Sequence, residues 1–252
     1  WGNTNMNFKL STLVAASLLT CASGLTMAAE SDVSFSGTAA MTSDYRYRGM
    51  TQTESDPAVQ VGYGLTHSSG LYAGVWGSNV GFGSSLELDP YVGYSTELGS
   101  LASKPVLDVG LWYYGYPSAS DLNWLELYAR LGFADTITVG DSLLASVNFT
   151  NDFFGLDTDA WYLNLTYSMP LSASFGGVAS LGYTTADDYD FSDNASGDDN
   201  YIDWKVGVTY SFASVEDLSA ELAAVGTNID ADTNPYKRGV ETGAVFTITK
   251  AF

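Results

Sequence analysis

The sequence predicts an all-β fold, a transmembrane up-and-down antiparallel β-barrel of about 12 strands, with 10 as the alternative. Three observations support this prediction. Apolar and polar residues alternate with a period of two along most of the chain, as in strands with two unlike faces. Short turns and long polar loops alternate between these runs. After residue 30, no run of about 18 apolar residues is present that could form a membrane helix.

Residues 1–28 are expected to be upstream sequence and a cleaved signal peptide. Lys9 precedes an apolar run of small residues, and Thr-Met-Ala at 26–28 forms an A-x-A-like cleavage site. Cys21 lies inside this run, but the residue before it is not the small one that a lipoprotein signal requires. We therefore expect export, with residues 29–252 forming a single barrel domain.

Composition excludes several classes of protein. The chain has 9 Lys and Arg against 29 Asp and Glu, a formal net charge of −20, so no basic surface is available to neutralise nucleic-acid phosphates. Its single cysteine lies in the expected signal peptide, which leaves neither a disulfide framework nor a thiolate metal site. Charged residues make up only 15% and aromatic residues 14%, unlike a disordered acidic chain.

Each predicted strand is an alternating run. In the first run, the odd positions carry Val, Phe, Gly, Ala, Met, Ser and Tyr, whereas the even positions carry Ser, Thr, Ala, Asp and Arg. The runs at 71–78, 175–184 and 218–225 alternate less clearly, which keeps ten strands as an alternative. In chain order, the predicted strands cover residues 33–49, 59–66, 71–78, 86–94, 107–113, 125–133, 143–150, 161–168, 175–184, 202–212, 218–225 and 244–252.

The connections and strand ends favour an outer-membrane barrel. Short connections at 67–70, 170–172 and 213–217 contrast with long, aspartate-rich ones at 185–200 and 226–239. Aromatic residues close the apolar face at one end of many strands, as an interfacial girdle does. These residues are Tyr94, Tyr113, Phe133, Phe149, Tyr167, Phe212 and Phe252.

A soluble β-sandwich would show the same alternation, with the apolar face as its core and the polar face in water. Its water-facing strands would carry Lys and Glu freely. The polar faces here are instead mostly Gly, Ser, Thr, Tyr and Asn. The sequence therefore favours the barrel.

A segment containing two closely spaced arginines resembles a known family. S-D-Y-R-Y-R-G-M-T-Q-T at 43–53, D-P-A-V-Q-V-G-Y at 56–63 and G-L-Y-A-G-V-W-G-S-N-V at 70–80 are similar to the amino-terminal signature of the TorF family of outer-membrane porins. The close match covers residues 43–94, and the remainder matches in length and layout. The resemblance implies an outer-membrane barrel and solute transport, and it carries no catalytic or substrate residues.

Charged residues on the polar faces predict the lining of a pore. If odd positions of the first strand face lipid, Tyr45 and Tyr47 point outward as interfacial anchors, while the arginines between them point inward. The same phase on other strands places seven carboxylates and four bases inside. The predicted pore-lining residues are Asp44, Arg46, Arg48, Glu87, Asp89, Asp108, Glu126, Arg130, Asp203, Lys205 and Glu221.

Two interpretations of these charges stay open. In the first, the charged side chains pair across the lumen as a structural network, because a charge in a confined interior must be compensated. Alternatively, opposed rows of both signs form a transverse field that screens solutes. Twelve tilted strands ~4.8 Å apart give a backbone diameter of roughly 24 Å, and side chains leave on the order of 10 Å.

Other inward residues bear on whether this space is open. Small residues favour an open path, namely Gly62, Gly64, Gly74, Gly93, Gly110, Gly182 and Gly207. Large aromatic residues would occlude it, namely Tyr72, Trp76, Tyr91, Trp112, Trp124, Tyr128 and Tyr162.

The predicted function is passive diffusion of small hydrophilic solutes across the bacterial outer membrane, with a weak preference for cations. The alternative is a non-conducting structural or surface-interaction barrel with acidic extracellular loops. The expected partners are outer-membrane lipid, lipopolysaccharide and the barrel-assembly machinery, which would recognise the strand ending at Phe252. Lys250 stands where that recognition signal usually has an apolar residue.

No enzyme, cofactor or metal site is predicted. His67 is the sole histidine and lies in a turn beside the serines at 68–69, and adjacency in a turn does not give the geometry of a base and its nucleophile. An EF-hand-like spacing runs from Asp230 to Glu241, but Pro235 stands where such loops need glycine.

Overall fold

Fourteen strands and three short helical segments form the described part of the chain, which in this computed structural model comprises residues 32–191, 198–230 and 237–252. The expected signal peptide lies outside these residues. None of the helices among them is long and apolar enough to cross a membrane. The strands are β1 Val33–Thr42, β2 Arg46–Tyr47, β3 Met50–Thr51, β4 Ala58–His67, β5 Leu71–Asn79, β6 Leu86–Glu97, β7 Val106–Tyr114, β8 Trp124–Ala134, β9 Ser142–Thr150, β10 Ala160–Pro170, β11 Phe175–Ala186, β12 Asn200–Ser211, β13 Leu218–Thr227 and β14 Gly243–Ala251. The helical segments are Ser120–Leu122, Phe153–Gly155 and α1 Lys237–Val240.

Twelve of the described strands close into one antiparallel barrel. β1 pairs with β4, each later strand pairs with the next, and β14 pairs back onto β1. The closing seam runs from Thr38 opposite Ala251 to Thr42 opposite Thr247. Backbone N–H groups of Gly37 and of the last residue then donate to each other's carbonyl oxygens at 3.2 and 2.9 Å. The prediction of about 12 strands is confirmed, and the alternative of ten is wrong.

The alternating pattern sorts side chains to the two sides of the barrel wall. On β8, Leu125 and Leu127 are 45% and 54% exposed, whereas Glu126 and Tyr128 are each 1% exposed. Many outward leucines and valines of the other barrel strands are exposed in the same way, for example Val61 at 55%, Leu163 at 51% and Leu222 at 59%. Such an apolar outer belt is stable only against lipid. The soluble sandwich, in which these leucines would form the core, is therefore wrong.

The two ends of the barrel carry connections of different length. One end, which we call the turn end, holds the connections at 68–70, 98–105, 135–141, 171–174 and 212–217. The other, the loop end, holds those at 43–57, 80–85, 115–123 and 151–159, together with the ends of the strands that the two aspartate-rich connections join, β11 to β12 and β13 to β14. In outer-membrane barrels the short turns face the periplasm and the longer loops face the outside.

The predicted aromatic girdle forms two rims. Because neighbouring strands run in opposite directions, the end of one strand lies at the opposite rim from the end of the next. Tyr113 and Phe149 lie near the loop end, whereas Tyr94, Phe133 and Tyr167 lie near the turn end with the remaining members of the set. Aromatic residues at both rims are typical of membrane barrels.

The first strand ends earlier than the sequence pattern predicts. β1 stops at Thr42, because its neighbour β4 begins only at Ala58 and offers no backbone partner beyond that residue. Within the following loop, β2 and β3 pair with each other, Tyr47 opposite Met50. Residues 44–51 form an inner hairpin that folds into the barrel interior.

Candidate functional site

The tip of the inner hairpin is a two-residue turn at Arg48 and Gly49. Both residues have positive φ angles, 47° and 84°, as the type I′ turns of tight hairpins require. A Cβ atom at Gly49 would also collide with Thr227 and Asp203, so this position needs glycine for space as well as for conformation. The hairpin tip therefore lies directly against β12 and β13.

Arg48 reaches from this tip towards β8 and β10. Its Nη2 atom lies 2.5 Å from Glu126 Oε1, and the two side chains are 5% and 1% exposed. The guanidinium carbon lies 4.2 Å from the ring centre of Tyr162 and 4.7 Å from that of Tyr47. Burial alone would lower the pKa of Arg48, but Glu126 and Tyr47 hold it above its usual value. The guanidinium therefore stays charged.

Tyr45 and Tyr47 face the interior, so the prediction that they are interfacial anchors is wrong. Their hydroxyl groups donate to Glu87 Oε1 and Glu126 Oε1, both at 3.3 Å. Their rings pack edge-on against interior aromatic rings at 5.4 and 5.5 Å between centres. Burial raises the pKa of both phenols, so each keeps the proton that it donates. The prediction failed because these residues lie beyond the end of β1, where alternation no longer assigns a face.

Arg46 joins the inner hairpin to the loop before β14. Its Nε atom lies 2.5 Å from Asp44 Oδ2. Its Nη1 atom donates to the carbonyl oxygens of Gly49, Gly239 and Glu241 at 3.1, 3.4 and 3.0 Å. The two arginines therefore fix one hairpin across the loop end of the barrel, each through a different set of contacts.

An aromatic cluster fills the loop-end interior beside strands β5 to β8. Tyr91 and Trp112 stack with 4.8 Å between ring centres, and Tyr114 and Trp124 with 4.3 Å. The buried members are Val80, Tyr91, Trp112, Tyr114, Tyr116, Trp124 and Tyr128, and Tyr45, Tyr47, Tyr72 and Trp76 pack against them. Tyr114 and Tyr116 were not predicted to lie inside. Tyr114 continues the inward phase of Trp112 but lies one residue beyond the predicted strand 107–113, and Tyr116 lies in a loop, where alternation gives no signal.

Several inward glycines make room for these rings. The prediction that inward glycines favour an open path is therefore wrong for them. A Cβ atom at Gly110 would collide with the hydroxyl group of Tyr128, and one at Gly93 with that of Tyr72. Gly74 has the same relation to Tyr91. Glycine in a strand often marks such a close approach of another group.

All eleven residues predicted to line a pore lie inside the barrel wall or on the inner hairpin and its flank. Each of the four bases has a carboxylate within ion-pair distance. The pairs are Arg46–Asp44 at 2.5 Å, Arg48–Glu126 at 2.5 Å, Arg130–Asp108 at 3.3 Å and Lys205–Glu221 at 3.3 Å. This arrangement supports the interpretation of the charges as a structural network.

Three interior carboxylates, on Glu87, Asp89 and Asp203, have no base within ion-pair distance among the described residues. Neutral groups bind them instead. Asp89 accepts hydrogen bonds from Trp112 Nε1 at 3.0 Å and from a backbone N–H at 3.2 Å. Asp203 accepts one from the Tyr162 hydroxyl at 3.3 Å. The interior therefore holds more acidic than basic groups.

The turn-end half of the interior, which we call the vestibule, is lined mainly by small polar residues. Asn164 Nδ2 donates to Ser180 Oγ at 2.9 Å, and Thr166 Oγ1 donates to Asn164 Oδ1 at 2.8 Å. The inward residues that keep partial exposure here include Ser36, Thr38, Ser95, Asp108, Ser146, Asn164, Thr166, Ser180 and Lys205. The vestibule therefore admits water, whereas the hairpin and the aromatic cluster fill the loop end.

The turn at His67 uses the histidine as a structural acceptor. His67 Nδ1 accepts the backbone N–H of Ser69 at 3.1 Å and lies 2.8 Å from the hydroxyl oxygen of the same residue. In residues 32–191, 198–230 and 237–252, no three His, Cys, Asp or Glu side chains come together as metal ligands would. The EF-hand-like spacing lies partly outside the described residues, because it includes 231–236.

This chain is similar to one protein family in sequence and to a solved porin in fold. A family model described as a bacterial protein of unknown function, Gcw_chp, matches residues 26–252. A comparison with curated protein sequences found no match. Among solved structures, the NanC porin is 10% identical with a TM-score of 0.51, over 86% of this chain and 98% of that one.

Two further solved structures are less similar in shape. An outer membrane channel from Pseudomonas putida F1 is 10% identical with a TM-score of 0.47, over 89% of this chain and 97% of that one. The outer membrane protein OprD from Pseudomonas aeruginosa is 11% identical with a TM-score of 0.40, over 86% of this chain and 64% of that one.

A closed twelve-stranded barrel with an apolar outside and a polar inside defines the class of this protein, an outer-membrane β-barrel with the porin fold. The protein accordingly resides in the bacterial outer membrane. The chain belongs to the Gcw_chp family, since the family model covers nearly all of it.

Proposed function

We propose that the protein is a porin-like channel through which small hydrophilic solutes diffuse passively across the outer membrane. The vestibule supports this proposal most directly, because a water-admitting, polar-lined space inside a lipid-facing barrel favours hydrophilic solutes. The inner hairpin forms the constriction of this channel. The strand number predicts an interior space on the order of 10 Å wide. The inner hairpin narrows this space at the loop end, which limits permeation to small solutes.

The channel has a weak preference for cations. Glu87, Asp89 and Asp203 leave the interior acidic after the four ion pairs are formed, and acidic linings favour cations. The preference is weak because these carboxylates are almost fully buried behind neutral donors. Reversal potentials in a salt gradient measure it, and a preference for anions would contradict it.

A non-conducting barrel with a structural or surface-interaction role is the second candidate. The hairpin and aromatic cluster favour it, since they fill the loop end where a solute would enter. In that case, the acidic loops would carry the function.

Conductance of the purified, refolded barrel in planar lipid bilayers separates the two candidates. Steps of reproducible size are expected for the channel. Heat-denatured protein in the same detergent serves as the control, and it should give no steps. If the folded barrel also gives none across a range of voltages, the channel proposal fails and the non-conducting role stands.

Processing and assembly complete the proposal. Residues 1–28 would be upstream sequence and a signal peptide removed on export, which leaves residues 29–252 as the barrel domain. The barrel-assembly machinery would recognise the C-terminal strand that ends at Phe252, and lipopolysaccharide would surround the loop end. The resemblance of residues 43–94 to TorF porins agrees with the proposal of an outer-membrane barrel that transports solutes.

A further inference from the structure

Two charged side chains inside the barrel are accessible to a solute. Asp108 is 23% exposed and Lys205 16% exposed, whereas their partners Arg130 and Glu221 are each 8% exposed. Side chains in the two ion pairs of the inner hairpin are between 1% and 8% exposed. The carboxylates without a basic partner are 1% to 7% exposed. Among the predicted pore-lining charges, Asp108 and Lys205 are therefore the carboxylate and the ammonium group that a molecule in the vestibule contacts.

These two groups lie on nearly opposite walls. Asp108 is on β7 and Lys205 on β12, which are five steps apart around a ring of twelve strands. Each is held by its neighbours, because Asp108 binds Arg130 at 3.3 Å and the Tyr72 hydroxyl, and Lys205 binds Glu221 at 3.3 Å. Each ion pair thus turns one end of its dipole towards the lumen, negative on one wall and positive on the other.

The wall between them carries neutral hydrogen-bonding groups. Strands β9 to β11 contribute Ser146, Asn164 and Ser180 to the vestibule, and their side chains are the amide and hydroxyl groups that pair with peptide bonds. The opposite charges are separated by on the order of 10 Å, the space that remains inside a barrel of this size. A ligand that fits both must carry its own charges well apart.

We propose that the vestibule selects small zwitterions whose charges are widely separated, such as short peptides and ω-amino acids. The ammonium group of the solute lies at Asp108, its carboxylate at Lys205, and its amide groups along β9 to β11. An α-amino acid is too short to reach both charges. Each contact is an exposed ion pair and therefore weak, which lets the solute leave as well as enter. This inference rests on the proposed channel function.

Flux measurements with matched solutes test the proposal. Triglycine and N-acetyl-triglycinamide have the same backbone, but only triglycine carries terminal charges. In liposomes containing the wild-type barrel, triglycine should enter faster by about two- to fivefold for each ionic contact, the range expected of exposed ion pairs. Asp108→Asn and Lys205→Gln should each remove one contact's share of this preference. Asp121→Asn, which changes an exposed aspartate at the loop end outside the vestibule, should keep it.

A series of solutes tests the same idea without any variant. In the wild-type barrel, the advantage of a zwitterion over its uncharged N-acetyl amide should rise from glycine to 4-aminobutyrate to 6-aminohexanoate. Equal rates for triglycine and its neutral analogue, or an advantage that does not rise with charge separation, would overturn the inference while leaving the channel intact. If no solute enters at all, the channel function itself fails, and the inference falls with it.

Discussion

Removing the guanidinium group of Arg48 should widen the channel. Breaking a buried ion pair by deleting one partner costs about 3–5 kcal/mol. Glu126 keeps neutral donors, Tyr114 at 3.3 Å and Asn148 at 2.9 Å, so we expect the lower end, about 3 kcal/mol. Since 1.4 kcal/mol is about tenfold in an equilibrium constant, the population with a displaced hairpin should rise about 100-fold.

Single-channel recording in planar bilayers measures this effect. Arg48→Ala should spend more time at a larger conductance level than the wild-type barrel does. Arg238→Ala, which removes an exposed arginine from the loop before β14, is the matched control and should behave like wild type. In a double-mutant cycle, Glu126→Gln should have little further effect once Arg48 is absent. Identical conductance in folded Arg48→Ala and wild type would refute the hairpin as the constriction.

Three further predictions concern stability and assembly. Gly110→Ala should destabilise the barrel by about 1–3 kcal/mol in urea unfolding, because the added Cβ atom collides with Tyr128. Gly132→Ala is the control and should be nearly neutral, since the nearest atom to its added Cβ is 3.9 Å away. Burial opposes the charge of Asp141 in the turn after β8, but hydrogen bonds from Tyr167 and three backbone N–H groups hold the pKa of Asp141 at about 2. Its stabilising contribution should be present above about pH 4 and lost as pH falls through about 2, and Asp141→Asn should abolish that pH dependence in thermal unfolding. Deleting Phe252 should reduce the amount of folded barrel in isolated outer membranes, because its backbone extends the closing seam with Gly37, and an unchanged amount would contradict this role.

The sequence by itself determined the fold class and the two faces of the barrel strands, and it predicted about twelve strands with ten as the alternative. These properties are local, because a period of two in side-chain polarity is read along one strand without knowledge of its neighbours. On β8, the alternation of Leu125 and Leu127 with Glu126 and Tyr128 was enough to assign the lipid and interior sides. On the barrel strands, the same pattern put charged residues such as Glu126, Arg130 and Asp203 on the interior face, where they are buried.

Only the tertiary structure decided how the interior is used. Asp44 to Gly49 continue the strand pattern in sequence, but the neighbouring strand ends first, so the chain turns inward and carries Tyr45 and Tyr47 with it. The pairing of Arg48 with Glu126 joins residues 78 positions apart, and no local pattern encodes such a contact. Exposure inside the barrel likewise depends on every strand at once, which is why Asp108 and Lys205 emerge as accessible charges only when the barrel is closed.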